Sequence, residues 1–201
     1  MIRTGRRTSV TPESSLDAAG RGVAADDPEY LAEPARTVGL LAETLGRLHG
    51  SALTPDARTI DRSSLAAELG GLLADRPDGE RVTDPAYRHV TVRVLLDVLV
   101  DGADPARDAH PVPTHGRPTL SHLRVADGAS VGLSDWSEAG AAPAARDLAV
   151  ALRSLVAAFG PGVAPAFISA YPADAPSVEQ VDWWVLASVL AEHAGSPGGD
   201  A

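Results

Sequence analysis

The sequence predicts an α+β fold, predominantly helical, with several helices packed around one small β-hairpin. Leucines recur at three- and four-residue spacing along most of the chain, and the apolar period shortens convincingly only on either side of Ala126-Asp127-Gly128. A length of 201 residues with 44% hydrophobic content suits one domain with a real core and is short for two.

Residues 1–27 are rich in Ser, Thr, Arg, Gly and Asp and lack an apolar period. They bury too little surface to offset their ordering entropy, so a disordered or loosely attached arm is expected there. The domain proper is expected over 28–194, followed by a flexible tail at 195–201. Leu41, Leu45 and Leu48 predict the first main helix, with Gly50 at its C-terminal cap. Leu65, Leu69, Leu72 and Leu73 predict a second. Asp84 and Pro85 fit an N-cap and first helical position for a third, which would carry Leu95, Val98 and Leu99. Asp127-Gly128 supplies the positive-φ residues of a tight turn between two short runs, Leu120–Val125 and Ser130–Ser134. Leu148, Leu152 and Leu155 then mark a helix ending near Gly160, and Val163, Phe167 and Ile168 a short one. A last helix opens on the Ser177/Gln180 capping-box pair.

A net charge of -10 argues against a nucleic-acid binder, which needs a basic surface to displace counterions. There are no cysteines, so disulfides, thiolate catalysis and Cys-based zinc sites are excluded together. No membrane association is expected, because no run of eighteen apolar residues and no signal-peptide h-region occurs; a cytoplasmic location is the default. All seventeen basic residues are arginine, and lysine is absent.

The stretch from Thr114 to Leu155 resembles the catalytic segment of aminoglycoside phosphotransferases, in which a His-Gly-Asp loop leads through a hairpin to an Asp and then to an Asp-Leu-Ala helix. His115-Gly116 match the loop, Asp135 the metal-binding aspartate, and Asp147-Leu148-Ala149 the later helix. Upstream, LAETLGRLHG resembles the family's helix ending in a Leu-His pair, so the likeness runs from about Leu31 to His193. It implies a protein-kinase-like C-terminal lobe. The family's N-terminal nucleotide lobe would precede that helix, where only about thirty residues stand, so no such lobe is expected here.

The departures from the pattern bear on activity. Arg117 occupies the position of the family's catalytic aspartate, and a guanidinium cannot accept a proton. His122 occupies the position of a magnesium-ligating asparagine, although magnesium prefers oxygen ligands. Asp135 remains as a weak metal candidate. The Gly20–Gly22 stretch is a very weak phosphate loop, and the lysine of the usual nucleotide cradle is missing. No catalytic residue and no cofactor is therefore expected, and Mg-ATP is disfavoured.

The expected function is non-catalytic, that of a pseudokinase-like protein binding a protein partner, a second copy of itself or a small molecule. Loss of the nucleotide lobe would expose the surface that faces it. The expected cleft residues are His115, Arg117, His122, Asp135, Trp183 and Trp184. Arg117 is expected to pair with Asp135, or else to clamp an anion. His115 is expected to brace its loop, Asp147 to cap its helix or complement its dipole, and one of the two adjacent tryptophans to face outward. Two rival functions are a split phosphotransferase completed by another chain and an enzyme using His115, His122 and Asp135 as acid-base groups.

Overall fold

The apolar stripes become helices in the computed structural model, which describes residues 22–108 and 110–195. The chain enters through a two-residue strand β1 (Val23–Ala24) and one short turn of helix, α1 (Pro28–Leu31), capped by Asp27. Helix α2 (Pro34–His49) starts on a proline, whose missing N–H costs nothing there, and ends on Gly50. Asp61 and Ser64 form a reciprocal capping box at the start of α3 (Arg62–Leu72).

Helix α4 (Val92–Asp101) begins at Thr91, whose hydroxyl accepts from the Val94 N–H, and not at the expected Asp84. Asp84 caps a separate turn by accepting from the Ala86 N–H, and its other oxygen takes the Arg153 guanidinium at 2.9 Å. Leu72 and Val98, expected on buried stripes, are exposed, because α3 and α4 each bury a face narrower than their run of apolar residues.

The predicted hairpin is β3 (Leu123–Ala126) and β4 (Ala129–Leu133), antiparallel, turning through Asp127 at φ 51° and Gly128 at φ 77°. Strand β1 adds to its other edge, giving the order β1-β3-β4. A second antiparallel pair, unexpected from the sequence, joins β2 (Val112–Thr114) to β5 (Gly140–Ala142). The first sheet also moves the expected boundary at residue 27. Val23 and Ala24 pair with Val125 and Arg124, and Ala25 is fully buried, so residues 22–27 belong to the domain. The remainder of the expected arm, the rest of the glycine stretch from Gly20 and the expected tail beyond Gly195 lie outside the described residues.

Helix α5 (Ala144–Phe159) runs through the centre and ends on Gly160 at φ 82°. Leu148, Ala151 and Leu155 face one apolar cluster, with Leu41 and Leu45 of α2, Leu123 and Leu133 of the hairpin, and Phe167 of α6 (Ala164–Ala170). Ala145 and Ala149 face a second, with α3, α4 and α7 (Val178–Gly195). The Ser177/Gln180 capping box at the start of α7 forms as expected, with N···O distances of 2.9 and 3.2 Å. Among the described residues no helix is long and apolar enough to cross a membrane.

Candidate functional site

Strand β2 delivers the chain into the loop His115-Gly116-Arg117 at the foot of the hairpin. Gly116 takes φ 90°, and a Cβ there would collide with the Glu138 carbonyl oxygen, so both backbone and space demand glycine. The loop is fastened from beneath by Asp147 of α5. This carboxylate is 0% exposed and accepts the His115 and Gly116 N–H groups, each at 2.7 Å. His49, the last residue of α2, presents Nε2 to the same carboxylate at 3.2 Å and Nδ1 to the Tyr171 hydroxyl at 2.7 Å.

Burial alone would raise the Asp147 pKa, yet the hydrogen bonds from His49 and the two backbone N–H groups overcome it and hold it below the ordinary value. Tyr171 is pushed the other way, to about 12, by burial and by the Asp147 charge. Asp147 is therefore an anchor for the loop; the expectation that it caps its own helix is corrected, while its place in the first turn of α5 suits the alternative that it complements the helix dipole. A fully buried carboxylate must find its donors, and those nearest come from a loop 31 residues upstream.

His115 is fully buried. Its Nε2 donates to the Ser134 carbonyl at 2.9 Å and its Nδ1 accepts the Arg117 N–H at 3.2 Å. Burial depresses its pKa, and both ring nitrogens are committed within the fold. Trp136 lies edge-on to the ring with centroids 4.8 Å apart. His115 braces the loop between hairpin and helix and has no lone pair directed at solvent.

The outer rim is different. His122 directs Nδ1 to the Arg117 carbonyl at 2.7 Å, which leaves Nε2 facing Asp135 Oδ2 at 3.7 Å. Asp135 sits at φ 61° with its side chain 47% exposed. Hydrogen bonds from the Ser137 hydroxyl and N–H hold its carboxyl below the usual range. The Arg117 side chain is exposed, and the expected Arg117–Asp135 ion pair is replaced by His122 against Asp135. The turn through Thr119 brings His122 back under Arg117, so the imidazole reaches the carboxylate first.

Four of the six expected cleft residues thus converge: His115, Arg117, His122 and Asp135. Trp183 and Trp184 do not join them. They are 7% and 2% exposed, in the other apolar cluster, and neither faces a groove. Trp183 Nε1 donates to the Leu99 carbonyl and Trp184 Nε1 to Asp108, which also pairs with the buried Arg62 at 2.8 Å. Helix α7 packs against α3, α4 and α5 at once, so adjacent indoles on different sides of it are both covered. His49, Tyr171 and Trp136 were missed. The Leu-His pair that ends α2, noted in the sequence without a task for its histidine, could have found the first.

Magnesium fits this rim poorly, because the position opposite Asp135 presents imidazole nitrogen rather than oxygen. A nucleotide fits no better on the residues present, since the sequence has no lysine to neutralise its phosphates.

A helical body with a hairpin-and-loop rim set against a buried aspartate is the C-terminal lobe of a kinase-like fold. Solved structures agree. An aminoglycoside-3'-phosphotransferase of type VIII superposes with a TM-score of 0.67 at 22% identity, over 84% of this chain and 65% of that one. The aminoglycoside phosphotransferase APH(3'')-Id from Streptomyces rimosus gives 0.61 at 20%, over 85% and 66%. Choline kinase LicA from Streptococcus pneumoniae gives 0.55 at 19%, over 90% and 62%. The chain therefore spans just under two thirds of each of these proteins, and the likeness establishes the fold. It belongs to the phosphotransferase enzyme family, APH, whose model matches residues 17–181. No curated protein matches it by sequence.

Proposed function

We propose that this member of the family is a non-catalytic binding protein, pseudokinase-like, that engages a partner protein, a second copy of itself or a small ligand through the rim of the His115 loop. One observation carries the reading: the position of the family's acceptor base is an exposed arginine. The carboxylate of Asp135 is turned toward His122 and Ser137. A permanently cationic side chain cannot take the proton that an acceptor hydroxyl must lose. No bound nucleotide is part of this reading, and it places the protein in the cytoplasm.

Phosphate transfer from radiolabelled ATP with Mg²⁺ to a panel of aminoglycosides and to choline tests it. No labelled product above the protein-free blank is expected. A magnesium-dependent thermal shift with ATP, or a labelled product lost in Asp135→Ala, would overturn the reading. Static light scattering on the same sample decides between self-association and a foreign partner.

The retention of Asp135 favours a second reading, a phosphotransferase whose nucleotide lobe comes from another chain. Transfer that appears only when such a chain is added would select it.

A further inference from the structure

We propose that the groove between α3 and α4 binds a short apolar peptide with free ends, its carboxylate at Arg93 and its ammonium at Asp97 and Asp101. The two helices run antiparallel. Arg62 at the start of α3 donates to the Gly102 carbonyl at the end of α4, and the chain leaving α3 pairs with the start of α4 through Arg81 and Thr91. Their inner faces pack with α7 in one apolar cluster. Beside that cluster they leave a cavity of about 570 Å³, within the ~300–1,000 Å³ range of sites that hold small ligands.

Gly70, near the end of α3, keeps that space clear. An added Cβ there would meet no atom within 4 Å, so no close contact inside the fold requires a residue that a helix interior disfavours. Buried Leu73 and Val92 line the cavity together with Leu96 and Val100, and Val100 is 52% exposed. The charges select the occupant. Helix α4 carries Arg93 in its first turn and Asp97 and Asp101 toward its end, the reverse of what its macrodipole favours. An arginine four residues before an aspartate is also the weaker order for a helical pair. All three charges line the cavity, and among the described residues none of them forms an ion pair or a side-chain hydrogen bond. Nothing within the chain offsets the arrangement.

Arg76 also lines the cavity, at the Arg93 end, but Glu80 holds it at 3.1 Å, which leaves Arg93 as the cation for a ligand. Arg93 stands about 6 Å from Asp97 and about 12 Å from Asp101 along the helix axis. Three extended residues span about 10 Å. A tripeptide therefore sets opposite charges against both ends while its side chains cover Leu96 and Val100. A fatty acid lacks the ammonium and a polyamine lacks the carboxylate, so each meets like charge at one end of the groove. No residue of the His115 loop lines this cavity, and the proposal and the reading of the rim can each fail alone.

Titration of the full chain with the tripeptide Leu-Gly-Leu, followed by calorimetry and by amide chemical shifts, tests it. One peptide per chain is expected, with the shifts concentrated at Gly70, Leu96 and Val100. Acetylating its amine or amidating its carboxylate is expected to weaken binding at least ~3-fold each, the scale of an exposed ion pair. Asp101→Asn should shrink the acetylation effect alone, and Arg93→Gln the amidation effect alone. Gly70→Leu should abolish binding and leave the urea midpoint no lower, because it fills the groove and favours the helix. Peptide held equally by Gly70→Leu, equal binding of free and doubly blocked peptides, or neither heat nor shifts with the free peptide would overturn the site. Octanoate or spermidine binding more tightly than the peptide would overturn it as well. Should the charge variants unfold by circular dichroism, the blocked peptides on the parent chain decide.

Discussion

The loop at His115 has a buried side and a solvent side only a few ångströms apart, and different constraints hold them. Beneath it, Asp147 takes three donors from two distant segments, and removing any partner strands a polar group away from water. Above it, Arg117 and Asp135 stand in solvent, where a changed side chain is rehydrated at little cost. The buried side matches the family's pattern and the solvent side departs from it. The buried anchor can therefore persist where the exposed residues of the loop have changed.

Replacing Asp147 with alanine probes the buried side most severely. Two backbone N–H groups and one imidazole nitrogen lose their acceptor together, and a loss of about 3–5 kcal/mol is expected in urea unfolding. A loss below about 1 kcal/mol would mean that the loop holds itself and the contrast fails. Gly116→Ala comes next, because it combines φ 90° with a collision against the Glu138 carbonyl oxygen. An expected cost of about 1–3 kcal/mol is read from the same transition.

Acid provides a gentler test of the buried side. His115 titrates below its ordinary value in the folded protein, so the unfolded chain binds its proton first. Stability is full above the unfolded pKa of about 6.5 and falls as the pH drops toward the depressed folded value. Thermal midpoints measured downward from pH 7.5 should show this decline, reduced in His115→Gln. A second loss follows at lower pH, as Asp147 is protonated on passing below its unfolded value toward its depressed folded one. The smallest effect belongs to the solvent side. Arg117→Asp should change stability by no more than about 0.5 kcal/mol. On the proposed non-catalytic reading it should also yield no phosphate transfer, because restoring a base supplies no lysine.

Features encoded within four residues were legible in the sequence. The Asp127-Gly128 turn, the Ser177/Gln180 capping box, Gly50 and Gly160 all formed where expected, because a turn's φ angles and a cap's donors are local properties. Pairings set by distant chain were not legible. Strands β2 and β5 have three residues each, one strand interrupted by Pro113 and the other mostly alanine, so neither carries a period that could reveal it. In the site, His115, Arg117, His122 and Asp135 were found by their order along the chain. Asp147 was placed in its helix's first turn, but its part in holding the loop was not foreseen. As the first-turn acid of a helix it reads as a cap, and only the folded loop shows which N–H groups it receives.

Tyr171 stands at the far end of this hydrogen-bond chain, joined through His49 and Asp147 to the backbone of the His115 loop. Loop and tyrosine thus share one thermodynamic account. A ligand that prefers the loop as it is held now must, by linkage, strengthen the hold on the Tyr171 hydroxyl. Loss of that hydroxyl must in turn weaken a ligand it never touches. The side chain that reports most quietly on what occupies the rim is joined to it through two other side chains.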